Sequence, residues 1–209
     1  MTANEVFTPT GGRAASPGRQ LDQAASVFVE HGLTDRVTVQ LKGEWQSGEA
    51  PFVDYQGRGP VELGVRVNLW RDDWSVLSVY VGHAWGGEGR NALYAPPGAG
   101  DGDWELRVLA GRSFARGFVE AQAARRIRDG LPDETRVDLT AGAEIRPNWT
   151  IMTQIFAGST DEGPRWAHVE TSVVRDLGRW SLQAGWRETV AGREIPAAGG
   201  PVVALWRRF

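Results

Sequence analysis

A chain of 209 residues with a formal net charge of −3 carries no bulk positive field, which excludes nucleic acid as an electrostatically bound partner. It has no cysteine, excluding disulfides and thiolate metal sites, and no run of about 18 apolar residues, excluding a transmembrane helix. Ten tryptophans are the unusual feature of the composition, and the length is sufficient for one domain built on a closed sheet.

Residues 1–22 are rich in Gly, Pro, Ala and Arg and read as an irregular N-terminal segment, with only Val6-Phe7-Thr8 suited to extension. They lack the charged start and apolar core of a signal peptide. Residues 23–209 read as a single antiparallel β-barrel. Strands are expected at 23–33, 37–47, 60–70, 74–86, 103–114, 117–129, 135–145, 149–159, 165–176, 180–190 and 201–209. Typical lengths of 10–13 residues exceed the usual globular strand of about 5–6. They suit the roughly 9–11 residues a tilted strand needs to cross a bilayer.

The first hairpin sets the pattern. After a tight turn at Thr34-Asp35-Arg36, the apolar Val37, Val39 and Leu41 alternate with Thr38, Gln40 and Lys42. Val61, Leu63, Val65, Val67 and Leu69 repeat it against Glu62, Gly64, Arg66 and Asn68. Short connections at 34–36, 71–73, 115–116, 146–148 and 177–179 alternate with longer ones at 48–59, 87–102, 130–134, 160–164 and 191–200. An up-and-down meander whose two ends face different compartments does this, whereas a Greek-key sandwich has no reason to. Such a sheet is apolar on one face only, and a soluble ligand-binding barrel would turn that face inward.

The tryptophans favour the membrane arrangement. Trp70, Trp74, Trp149, Trp180 and Trp206 fall near the short turns, and Trp45, Trp85, Trp104 and Trp166 near the longer connections. Two such levels match aromatic girdles at two membrane–water interfaces. Phe209 ends the chain on the parity of Leu205 and Val203, which resembles the C-terminal signal read by the outer-membrane assembly machinery. Arg207 stands where that signal is usually apolar or aromatic.

The stretch HGLTDRVTV resembles the YGLTDR-type turn of bacterial outer-membrane β-barrels, among them the phenol-degradation-cluster channel family and uncharacterised relatives, with His31 where those often carry Tyr. The resemblance implies a barrel of about a dozen strands in the outer membrane of a Gram-negative bacterium, and transfers no substrate. Even strand numbers bring both termini to one side. Eleven visible strands therefore call for a twelfth, either weakly encoded around residues 3–9 or lying ahead of Met1.

The face opposite the apolar one carries the candidate lumen-lining residues: Glu30, Gln40, Lys42, Glu44, Glu62, Arg66, Arg107, Glu120, Gln122, Arg126, Arg136, Asp138, Glu144, Glu170 and Arg187. Mixed signs on neighbouring strands predict ion pairs across the lumen. The expected function is a narrow channel for small polar solutes, or a structural barrel with a charged, largely plugged lumen. Arg125-Arg126-Ile127-Arg128 could bias such a pore toward anions, but reads first as a solvated strand end. An outer-membrane lipid-modifying enzyme would rest on His83, but no Ser is placed to pair with it and GxSxG is absent. His168 and Glu170 read as lumenal hydrogen-bonding groups. No two-His ligand spacing or phosphate-cradling loop appears, so neither a metal nor a cofactor is expected.

Overall fold

The computed structural model describes residues 1–49 and 53–208. Twelve strands form a closed antiparallel barrel in which every neighbour in sequence is a neighbour in space, with the last strand closing on the first. They are β1 (Thr2–Phe7), β2 (Arg13–Gly32), β3 (Val37–Glu49), β4 (Tyr55–Arg71), β5 (Ser75–Trp85) and β6 (Gly102–Phe114). Then come β7 (Gly117–Asp129), β8 (Glu134–Arg146), β9 (Trp149–Thr160), β10 (Arg165–Asp176), β11 (Trp180–Arg193) and β12 (Pro196–Arg207).

The tight connections follow from local chemistry. In the β2–β3 turn the Thr34 hydroxyl accepts from the amides of Arg36 (3.2 Å) and Val37 (3.0 Å). In the β4–β5 turn Asp72 Oδ1 accepts from the amides of Trp74 (2.8 Å) and Ser75 (2.7 Å), the Asx geometry that favours Asp there. Asn148 in the β8–β9 turn has φ of +65°, a left-handed conformation its short polar side chain tolerates. Together with 115–116 and 177–179, these connections define the turn end of the barrel. The opposite, loop end carries the one long described connection, 86–101.

The two faces are sorted by a geometric fact. The Arg126 guanidinium of β7 bonds the Glu62 carboxylate of β4 at 2.6 Å, although two strands stand between them in the wall. A bond between non-adjacent strands of a closed barrel can only cross its interior. The face of Glu62 and Arg126 is therefore the inner one, and Leu63 and Val65, 45% and 42% exposed, point outward. Apolar side chains cover the outside while Glu105, Glu170 and Arg126 are buried within. This inverts a soluble barrel, which hides its aliphatic residues from water. Toward the turn end the inner face also becomes apolar, at Leu109, Met152 and Val174.

Three expectations are corrected. Residues 1–22 are not an irregular segment: they hold β1 and the first ten residues of β2, Arg13 to Asp22. Alternation is poor there because β1 is short and its register shifts between Ala3 and Val6 against β12 and between Ala3 and Glu5 against β2. Thr2–Phe7 supplies the twelfth strand, and the segment beginning at residue 23 is the lower part of β2. The connection expected at 191–200 is instead a two-residue turn at Glu194-Ile195, since strand pairing tolerates the Gly and Ala of β12 that read as loop. The long connection expected at 48–59 shrinks too: 48–49 belong to β3 and 55–59 to β4, while 50–52 lie outside the described residues.

Candidate lumenal constriction

The charged inner face of the loop half is built by β6, β7 and β8, which adjoin, and by β4, one strand further along the wall. β6 places Asp103, Glu105 and Arg107 on one side, β7 adds Arg126 and Arg128, β8 adds Glu134 and Arg136, and β4 adds Glu62. Each sits at alternate positions, so strand periodicity alone aims them inward.

The network is dense. Arg126 donates through Nε to Glu105 (2.9 Å), through Nη1 to Asp103 (3.3 Å) and through Nη2 to Glu62 (2.6 Å). Arg128 grips Asp103 with two nitrogens, each at 3.0 Å, and also donates to Glu134. Glu105 further accepts from Arg107 (Nε, 2.8 Å) and from Arg136. Tyr80, 1% exposed, donates to Glu62 at 2.7 Å, and the Arg107 guanidinium lies 4.9 Å from its ring centroid. Gly64 and Gly82 flank that ring, and a Cβ on either would collide with it. Charge-assisted contacts of this kind are the strong ones, and low local dielectric strengthens them further.

Segment 86–101 folds over this cluster. Asn91 Oδ1 accepts from the Gly87 amide (2.9 Å), while its Nδ2 donates to the carbonyls of Ala99 (2.9 Å), Gly100 (3.0 Å) and Gly87 (3.2 Å). The Asn91 carbonyl accepts from Arg128 Nη2 at 2.7 Å, which ties the loop to the network. Gln46 of β3 holds Arg90 from both sides, accepting from its amide (2.7 Å) and donating to its carbonyl (3.1 Å). Tyr94 donates to Glu134 at 2.9 Å and stacks on Trp166, ring centroids 6.1 Å apart. Burial and the neighbouring Glu134 carboxylate push the Tyr94 phenol well above its usual range.

Of the candidate lumen residues, Glu62, Arg107, Arg126 and Arg136 converge in this cluster. Lys42 lies opposite Glu62 in the ladder, and Glu44 accepts from Gln46 at 2.5 Å beside it. Others form separate groups. Glu170 accepts from Gln183 (2.9 Å) and Arg187 (Nε, 2.9 Å), while His168 bonds Thr189 (3.0 Å) rather than Glu170. Glu30 accepts from Gln40 (2.6 Å) and pairs with Arg66 (3.1 Å) near the turn end. Glu120 accepts from Gln122, whose ladder partner is Asp138. Glu144 lies apart, 4.0 Å from the exposed Arg116.

Sequence reasoning missed Asp103, Glu105, Arg128 and Glu134, although each shares parity with a residue it had chosen on the same strand. The Arg125–Arg128 stretch is not a solvated strand end: Arg126 and Arg128 are buried, and only Arg125 turns outward, to Asp133 and Asp161. Asn91 and Tyr94 carried no periodic signal because they lie in a loop.

The tryptophans divide. Trp45, Trp70, Trp74, Trp85, Trp104 and Trp180 are exposed on the outer surface, and Trp149 lies beneath the guanidiniums of Arg146 and Arg175. Trp166 faces Gly158 with the inner parity of His168, and Trp206 pairs with the inward Ser181, so these two leave the outer set. His83 stands on the outer face between Trp85 and Trp104, ring centroids 4.8 and 4.7 Å away. Phe209 lies outside the described residues.

No family model and no curated protein matches the sequence. The fold is similar to the crystal structure of the COG4313 outer membrane channel from Pseudomonas putida F1, with a TM-score of 0.74 and 11% identity. The likeness covers 98% of this chain and 89% of that one, and at such low identity it is a likeness of fold.

Proposed function

We propose that the protein spans the bacterial outer membrane as a narrow channel for small polar solutes, held closed at its loop end by the charged network and segment 86–101. The observation that carries this is the Arg126–Glu62 bond across the interior, which turns the charges inward and the aliphatic residues out. An outward belt of Leu, Val and Ile with exposed Trp at both ends is the surface a bilayer requires. The fold of an outer membrane channel, and the HGLTDR turn that resembles outer-membrane barrels, point the same way. The bilayer is then the principal partner, and assembly would proceed through the C-terminal strand.

Two measurements test the reading. The protein should leave membranes only with detergent, and in planar bilayers it should conduct weakly. Conductance should rise when Arg126 is replaced by Met or when segment 86–101 is shortened. Release by salt or carbonate alone would refute the membrane assignment. A large, steady conductance in the unaltered protein would refute the closed lumen.

A further inference from the structure

The barrel wall contains a slot. β1 crosses only the loop half: Thr2 pairs with Leu21 on one side and Gly199 on the other, and Met1 exchanges backbone hydrogen bonds with Asp22. Below that level, among the described residues, Gln23–Gly32 of β2 pair only with β3, and Gly200–Arg207 of β12 pair only with β11. Among the described residues no ladder joins the two, and at Thr2, where β1 still lies between them, the register sets them two inter-strand spacings apart, about 9.5 Å.

Exposure marks the same place. Val27 and Val203, on the outer parity of the two edges, are 67% and 73% exposed, against 46% for Val108, which has partners on both sides. Phe28 has the inner parity and is still 57% exposed. The Asp22 amide donates to Met1 at 2.9 Å, so alternation along β2 aims the amides of Ala24, Ser26 and Phe28 into the slot. Open sheet edges do not persist against hydrocarbon, where each orphaned backbone group is costly.

The edges also dictate what can fill them. β2 and β12 both run from the loop end to the turn end, so they are parallel to each other. Direct closure would make the one parallel ladder in an antiparallel wall, and a second copy in the same membrane orientation meets the same obstacle. A strand running from the turn end toward Met1 is antiparallel to both edges and continues the two ladders β1 already makes.

We propose, resting on the membrane reading above, that this slot is occupied by an extended segment of about eight residues belonging to the same polypeptide ahead of Met1. Its side chains alternate, apolar toward lipid beside Val27 and Val203, and small or polar toward the lumen beside Phe28.

The test is amide hydrogen exchange on the barrel purified in detergent from the bacterium that makes it, beside residues 1–209 refolded in the same detergent. The amides of Ala24, Ser26 and Phe28 should exchange about 100-fold more slowly in the purified barrel. Its intact mass should exceed the 22.9 kDa of the 209 residues by roughly the mass of an eight-residue strand. Equally fast exchange in both samples would overturn the proposal. Slow exchange at a mass of 22.9 kDa with a second polypeptide bound would place the strand in another chain and overturn the occupant named here. Release of the protein without detergent would instead overturn the membrane reading, and with it the need to pair these edges.

Discussion

Replacing Arg126 with Met is the most direct probe of the constriction. Among the described residues, four guanidiniums (Arg107, Arg126, Arg128, Arg136) face four carboxylates (Glu62, Asp103, Glu105, Glu134) in direct ion pairs. The set is charge-balanced, and Arg126 contacts three of the four acids. Met retains much of the stem volume but leaves Glu62, Asp103 and Glu105 sharing the remaining cations. With the Arg126 side chain 9% exposed and that of Glu105 1%, water cannot readily compensate. Breaking such a buried pair from one side costs about 3–5 kcal/mol. Urea unfolding in detergent, followed by tryptophan fluorescence, should show this as a lower midpoint at unchanged slope. Adding Glu62→Gln removes one stranded charge, and the double variant should recover about 1–3 kcal/mol of the loss. A loss below about 1 kcal/mol for Arg126→Met would mean that the pairs behave as surface pairs in open water. The lumen would then be wet at this level, and the closed constriction would be refuted.

Three further outcomes follow from the same geometry. Asn91→Ala removes four side-chain hydrogen bonds within segment 86–101; it should cost about 1–3 kcal/mol and make that segment the first site of limited proteolysis, whereas an unchanged cleavage pattern would refute its anchoring role. Gly64→Val drives a side chain into the Tyr80 ring and should destabilise the barrel by about 1–3 kcal/mol through overpacking, while Gly64→Val combined with Tyr80→Ala should recover stability. The hydrogen bonds from Arg125 hold the Asp161 carboxyl below its ordinary range. Because the folded value is the depressed one, any stabilisation is present above the unfolded value and is lost as pH falls through the folded one; carboxyl NMR should show Asp161 titrating low, and ordinarily after Arg125→Gln.

Half of the constriction is legible in the sequence. Glu62, Arg107, Arg126 and Arg136 were identifiable because charges on one parity of an amphipathic strand must share a face. That they meet, while Glu170, Arg187 and Glu30 form separate groups, depends on the vertical register between strands, which alternation does not encode. The covering segment was invisible because a loop has no period to read. From its position along the strand Trp166 reads as part of an outer girdle, yet the inward parity it shares with His168 decides its face.

Sequence alone determined the class of fold: period-two alternation, turn chemistry at Thr34 and Asp72, and even spacing specify an antiparallel meander, because each is set by residues adjacent in the chain. It also determined that a twelfth strand was needed. Only the tertiary structure decided which face is inside, since an alternating strand reads identically in a soluble and an inverted barrel. That decision came from one long-range contact, Arg126 to Glu62, whose partners are 64 residues apart. The same holds for the short β1 and the slot beneath it. A strand's length is written locally, but whether its neighbours are left unpaired is a property of the closed wall.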